Sequence, residues 1–139
     1  MAIDAQLVEA VRRRAGDACE YCRVPQAGYP TIVFPIDHVI ARQHRGPTEF
    51  RNLALSCLHC NSHKGPNVAG YDPKSGKLTP LYNPRRMRWP RHFRWDGPRI
   101  VGRTPVGRVT VDVLDLNAER AVRARSLLIA RGLLILDRM

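Results

Sequence analysis

Cys19-Glu20-Tyr21-Cys22 and Cys57-Leu58-His59-Cys60-Asn61 bracket Ile36-Asp37-His38-Val39-Ile40 and Asn52-Leu53-Ala54-Leu55-Ser56. Two CxxC knuckles separated by 34 residues can bring four sulfurs into a tetrahedron around Zn²⁺. Four protein ligands leave no open position, so an ion held by Cys19, Cys22, Cys57 and Cys60 is structural, and its binding adds directly to folding. The alternative, a pair of redox-active CxxC motifs, calls for a thioredoxin-like βαβ setting that surrounds neither pair. The segment between the knuckles is longer than a simple ribbon finger needs. That length leaves room for a functional insert.

Within the insert, Ile32-Val33-Phe34 and residues 36–40 are rich in β-branched and aromatic types, interrupted by Pro35. They read as an edge strand or as two short strands. Residues 41–51 are polar and contain Gly46-Pro47, a loop signal. Residues 52–56 read as a second short strand. A helix is expected from Leu58 to the Gly65-Pro66 stop. The core is therefore strand, long loop, strand, helix.

Outward from this core, residues 4–15 predict a helix. Asp4 is its N-cap, Leu7, Val8 and Val11 form an apolar stripe, and Gly16 ends it. Arg12-Arg13-Arg14 falls in its last turn, either as a phosphate contact or as solvated charge that suits the helix dipole. Residues 67–90 read as turn-dense connecting chain. Arg91–Trp95 alternates, Asp96-Gly97 is a turn signal, and Ile100-Val101 is the expected partner strand. Val109, Val111 and Val113 alternate with polar residues and predict another strand. Asn117 is the expected cap of a last helix running to Ala130. The length of 139 residues fits a single domain, 1–139, with a zinc-clasped core at 19–68 and a basic C-terminal extension at 84–139.

With 23 Lys+Arg against 12 Asp+Glu, the formal charge is +11, and it stays strongly positive after four thiolates bind one zinc. That balance favours a polyanionic partner. A membrane partner is not expected: no apolar run approaches the roughly 20 residues of a bilayer span, and there is no lipidation motif. The start of the chain has no signal-peptide pattern, so the expected location is cytoplasmic, where thiols stay reduced. Residues 84–108 carry eight Arg and one acid, with Trp89, Phe93 and Trp95 interleaved. The aromatics can be core residues or can stack on bases. The arginines suit phosphate contacts, which give affinity rather than sequence reading.

From Cys19 to Gly65 the chain resembles the HNH endonuclease family, in its small, stand-alone, zinc-stabilised form. The resemblance runs through Cys19-Glu20-Tyr21-Cys22, Ile36-Asp37-His38-Val39-Ile40, Asn52-Leu53 and Cys57-Leu58-His59-Cys60-Asn61-Ser62-His63-Lys64-Gly65. It implies an α+β fold: a ββα-metal (His-Me finger) core with a four-cysteine structural zinc site, flanked by an N-terminal helix and a basic C-terminal β/α extension. It also implies hydrolysis of DNA phosphodiester bonds, by nicking or cleavage. His38 then corresponds to the general base, Asp37 to a ligand of a catalytic Mg²⁺ or Mn²⁺, and Asn52 to the brace of the long loop. Asn61 takes the third motif position, where many members have His, making this an HNN-type variant. His63 is the rival ligand. Residues two apart on a helix point roughly 200° apart, so Asn61 and His63 should not both face one ion. His59 and His63, four apart, share a helix face and have a metal-like spacing of their own.

The expected partner is DNA, contacted by Arg42, Lys64, Arg85, Arg86, Arg88, Arg91 and Arg94, with the protein a monomer or weak homodimer. The alternative is a non-catalytic, zinc-stabilised nucleic-acid-binding module. Such a module needs the basic residues but not the Asp37-His38-Asn52-Asn61 set.

Overall fold

The computed structural model describes residues 3–136. Its centre is a two-stranded antiparallel sheet, β1 (Ile36–His38) and β2 (Leu53–Leu55), followed directly by helix α2 (Leu58–Lys64). The register pairs Ile36 with Leu55, Asp37 with Ala54 and His38 with Leu53. All three residues of β2 are fully buried, so this strand forms the floor on which Asp37 and His38 are carried. This ββα unit with four clustered cysteines is the α+β core expected from the sequence.

Residues 32–34 do not join the strand. The Phe34 N–H donates to Gln26 Oε1 at 2.8 Å, its carbonyl accepts from Arg12, and the Pro35 carbonyl accepts from Ser56 N–H. Side chains have taken both backbone groups of Phe34 that a ladder would use, and Pro35 has no N–H to offer. The first knuckle is a tight loop closed by the bridge between Ala18 and Pro25, by Cys19 N–H on the Val24 carbonyl and by Arg23 N–H on the Cys19 carbonyl.

Helix α1 spans Ala5–Arg14, with the Asp4 carboxylate accepting from the N–H groups of Gln6 and Leu7, and Gly16 follows it at φ +65°. Its arginines are neither a phosphate cluster nor merely solvated. Arg12 donates to the Phe34 carbonyl, and Arg14 donates to the Phe50 and Leu53 carbonyls with its guanidinium 3.7 Å over the Phe50 ring. Two of the three therefore fasten α1 to the loop and to β2.

Three expectations about the rest of the chain need correction. Residues 67–90 contain a hairpin, β3 (Ala69–Tyr71) paired with β4 (Leu78–Pro80). Asp72 organises its turn by accepting from Lys74 N–H and Ser75 Oγ, and it also takes the Arg108 guanidinium through two bonds of 3.0 and 2.9 Å. The valines at 109, 111 and 113 lie in a helix, α4 (Pro105–Val113), not a strand. Thr104 caps it by accepting from Gly107 N–H, and Pro105 supplies the first-turn proline. Finally, Asn117 does not cap α5 (Glu119–Ala130), whose N-cap is Ala118. Its amide instead accepts from Ile100 N–H at 2.9 Å and donates to the Ile100 carbonyl at 2.7 Å.

The expected hairpin after Arg91 is present. A short helix α3 (Trp89–His92) leads into β5 (Phe93–Asp96), which pairs with β6 (Arg99–Gly102) across the Gly97-Pro98 turn. Helix α4 lies close against it. A Cβ on Gly107 would fall 2.0 Å from the His92 carbonyl oxygen, and one on Gly102 would fall 2.4 Å from Arg108 N. Only glycine permits that approach.

The Arg108 hydrogen bonds hold the Asp72 carboxyl well below the usual carboxylate range, against the opposing pull of burial. A depressed carboxyl stabilises the fold above its unfolded pKa of about 3.9 and loses that contribution as pH falls from there. Arg108→Met is expected to lower the melting temperature at neutral pH and to flatten the stability loss below about pH 4. Thermal unfolding across an acid pH series measures both.

Candidate active site

An open cleft of about 290 Å³ lies between β1, the following loop and α2, lined by Ile36, Asp37, His38, Ala41, Arg42, Gln43, Asn61, Gly65 and Pro66. It brings together three of the four residues expected to carry the chemistry. Asn52, the fourth, is buried behind it.

Asp37 is 6% exposed. Its Oδ2 accepts from the Tyr21 hydroxyl at 2.7 Å, and its Oδ1 accepts from Lys64 Nζ at 3.3 Å, with Nζ also 3.2 Å from Oδ2. Lys64 donates further to the His38 carbonyl at 3.1 Å. Burial pushes the Asp37 carboxyl up, opposed by the Lys64 charge and by the hydrogen bonds from Tyr21 and Lys64. Each carboxylate oxygen can accept about two hydrogen bonds, so Oδ1, which meets Lys64 alone, keeps a lone pair for a cation.

His38 is half-buried, and its Nε2 lies 2.9 Å from Thr48 Oγ1. Burial and the Arg42 charge pull the imidazole below its ordinary range, with Asp37 acting in the other direction. That direction favours the neutral imidazole, the form with the lone pair that a base requires.

The Asn52 amide is a clamp. Its Oδ1 accepts from Ile40 N–H, and its Nδ2 donates to the Ile40 and Pro47 carbonyls at 3.0 and 2.9 Å. The loop passes so close that a Cβ on Gly46 would sit 1.7 Å from the Ile40 oxygen. Asn52→Ala strands these buried groups. It is expected to cost about 1–3 kcal/mol, read as a shift in the denaturation midpoint, and to loosen the strand end that holds His38.

Asn61 lines the cleft from α2, and its amide has no other hydrogen-bond partner among the described residues. His63 lies on the opposite side of the helix. It lines a separate pocket with Tyr29, Ile32 and Arg120, its Nδ1 bonds the His59 carbonyl, and its ring lies 4.1 Å from that of His59. The His59 Nε2 is occupied by the Leu114 and Asp115 carbonyls. Oxygen donors from Asp37 and Asn61 fit a hard divalent ion such as Mg²⁺ or Mn²⁺.

The four cysteines are buried, and their sulfurs all lie within 4.8 Å of one another, with Cys22 and Cys57 3.6 Å apart. A Zn–S bond of about 2.3 Å in a tetrahedron puts sulfurs roughly 3.8 Å apart, whereas a disulfide needs about 2.05 Å. The quartet fits a structural zinc and no disulfide. Burial raises the Cys19 thiol, but hydrogen bonds from the Cys22, Cys57 and Cys60 thiols bring it well below its ordinary range, while Cys22 and Cys60 are held well above it. Four buried thiolates this close together repel one another and call for a cation to neutralise them. Arg125, 1% exposed and bonded to the Pro98 and Leu116 carbonyls, supplies a positive charge to the same region.

The expected DNA contacts separate into two groups. Arg42, Arg86, Arg88, Arg91 and Arg94 are exposed. Lys64 is not on the surface: it is 1% exposed and paired with Asp37. Arg85 is also turned inward, ion-paired with Glu20. Trp89 and Phe93 are core, stacked at 5.0 Å, and Trp95 packs against Trp89 at 5.3 Å.

Tyr21 and Thr48 carry no local signal of their roles, because their partners lie 16 and 10 residues away.

Residues 19–67 match the family described as HNH endonuclease. The matched stretch is the one that holds both the cysteine quartet and the cleft. No curated protein and no solved structure matches the chain. No helix among the described residues is long and apolar enough to cross a membrane.

Proposed function

We propose that this protein is a metal-dependent endonuclease that hydrolyses DNA phosphodiester bonds. The observation that carries the reading is the meeting of His38, Asp37 and Asn61 on one open cleft, with the imidazole held from one ring nitrogen. His38 takes a proton from water, the water oxygen attacks phosphorus, and the bond to the leaving oxygen breaks; that oxygen departs as an alkoxide and takes a proton from solvent water in the open cleft, giving a phosphate monoester and a hydroxyl end. Asp37 and Asn61 would hold a divalent ion, which would supply Lewis-acid stabilisation of the developing negative charge. Asn52 fixes the loop that follows His38. The cysteine quartet takes a structural zinc and no part in the chemistry.

The charge of +11 and the exposed Arg42, Arg86, Arg88, Arg91 and Arg94 support DNA as the partner, bound mainly through its backbone. Buried apolar residues from both the 19–68 core and the 84–139 extension form one cluster, which supports treating the chain as one folding unit. The reading implies a cytoplasmic protein, monomeric or weakly dimeric.

Supercoiled plasmid is expected to be nicked with Mg²⁺ or Mn²⁺ and not with EDTA. Asn61→Ala should raise the cation concentration needed for half-maximal nicking, and His63→Ala should leave it unchanged. The reverse pattern would transfer the ligand role to His63. DNA binding without nicking under every metal would leave the non-catalytic binding module in its place.

A further inference from the structure

The zinc knuckle and the cleft are joined by one side chain. Tyr21 sits between Cys19 and Cys22, is 1% exposed, and places its hydroxyl 2.7 Å from Asp37 Oδ2. It has no slack. Its carbonyl accepts from Trp89 Nε1 at 2.8 Å, its ring meets Tyr82 edge-on at 6.4 Å, and the knuckle that carries it is closed by backbone bonds on both sides of Cys19. The Lys64 ammonium fixes the same carboxylate from α2. Asp37 is thus held by one donor from the first knuckle and one from the helix after the second.

We propose that Tyr21 is a positioning residue for the catalytic cation, aiming the Asp37 carboxylate into the cleft and making that aim depend on the zinc-bound knuckle. This rests on the nuclease reading for the identity of the cation site, but the hydroxyl–carboxylate bond and its anchoring are independent of it. A partner that orients a metal-binding carboxylate typically contributes 10–100-fold to affinity. The ring alone fills the core, so Tyr21→Phe keeps the packing and removes only the hydroxyl.

The test uses the full chain with its zinc. Mn²⁺ is titrated into wild type and Tyr21→Phe, and the free Mn²⁺ signal is read by electron paramagnetic resonance, with zinc content and melting temperature measured on both. Tyr21→Phe is expected to need about 10–100-fold more Mn²⁺ for half-saturation while retaining one zinc per chain. In plasmid nicking the loss should appear in the Mn²⁺ requirement and largely disappear at saturating Mn²⁺. Equal Mn²⁺ binding by the two proteins, or no Mn²⁺ binding by wild type, overturns the proposal.

Should Tyr21→Phe fail to fold, 3-fluorotyrosine placed at position 21 reports on the unmutated site. Its fluorine resonance should move as Mg²⁺ is added, and a stationary resonance overturns the proposal. A wild type that binds Mn²⁺ tightly yet never nicks DNA defeats the nuclease reading alone, because a weakened Tyr21→Phe titration would still uphold the role of Tyr21.

Discussion

His38→Ala is expected to lose about 10²–10⁴-fold in plasmid nicking, the range that a general base contributes, with little change in fold or DNA affinity. The structure gives the reason for that separation. The ring is half-buried, and its one hydrogen-bonding partner among the described residues is the exposed Thr48 hydroxyl. The backbone of His38 is held independently of its ring, by pairing with Leu53 and by Lys64 on its carbonyl. Removing the imidazole therefore takes away the proton acceptor and leaves the strand. Nicking rates on supercoiled plasmid, measured beside gel-shift affinity and thermal melting, separate the two effects. Undiminished nicking by His38→Ala would eliminate His38 as the base.

Removal of the zinc is expected to unfold the core. Zinc binding by such quartets is worth about 10–16 kcal/mol, as much as the whole stability of a typical domain, about 5–15 kcal/mol. The cysteines here also hold together elements distant in sequence: the first knuckle grips β2 through Glu20, which accepts from Leu55 N–H and pairs with Arg85 of the extension. Without the ion, four buried thiols lose their common partner and the first knuckle loses its hold on Asp37. A strong zinc chelator, or Cys60→Ser, should abolish the cooperative melting transition and the ordered circular-dichroism signal, with zinc followed by elemental analysis. A metal-free protein that melts cooperatively at the same temperature would refute the clasp. The consequence for nicking assays is practical: Mg²⁺ is expected to restore nicking after brief EDTA treatment only if the zinc is retained.

Local signals predicted the local elements. Asp4 caps α1, Gly65 and Pro66 follow α2, and the turn after Asp96 folds the 93–102 hairpin, because each acts within a few residues. The cysteine spacing reached further, since one ion constrains all four thiols together. Other features depended on competition. Val109, Val111 and Val113 alternate as a strand does, but Thr104 and Pro105 start a helix before the alternation begins, and the same residues then pack at helical spacing. The 69–80 hairpin was masked by turn residues that belong to its own reversal around Asp72. Lys64 could be read only as a surface cation until its 27-residue reach to Asp37 was known. The same holds for Arg12 and Arg14, whose acceptors are main-chain carbonyls 22 to 39 residues away and carry no signature in the sequence.

The Asn117 amide has an effect outside the cleft. A two-stranded hairpin leaves outward-facing N–H and carbonyl groups along each rim, and such a rim can recruit a strand from another molecule. On β6 the outward pair belongs to Ile100, and Asn117 satisfies both groups at once. The side chain imitates one residue of a neighbouring strand and goes no further. It occupies the position on β6 where a docking strand would need two hydrogen bonds at once, so that stretch of the rim offers no free pair to a strand from another molecule.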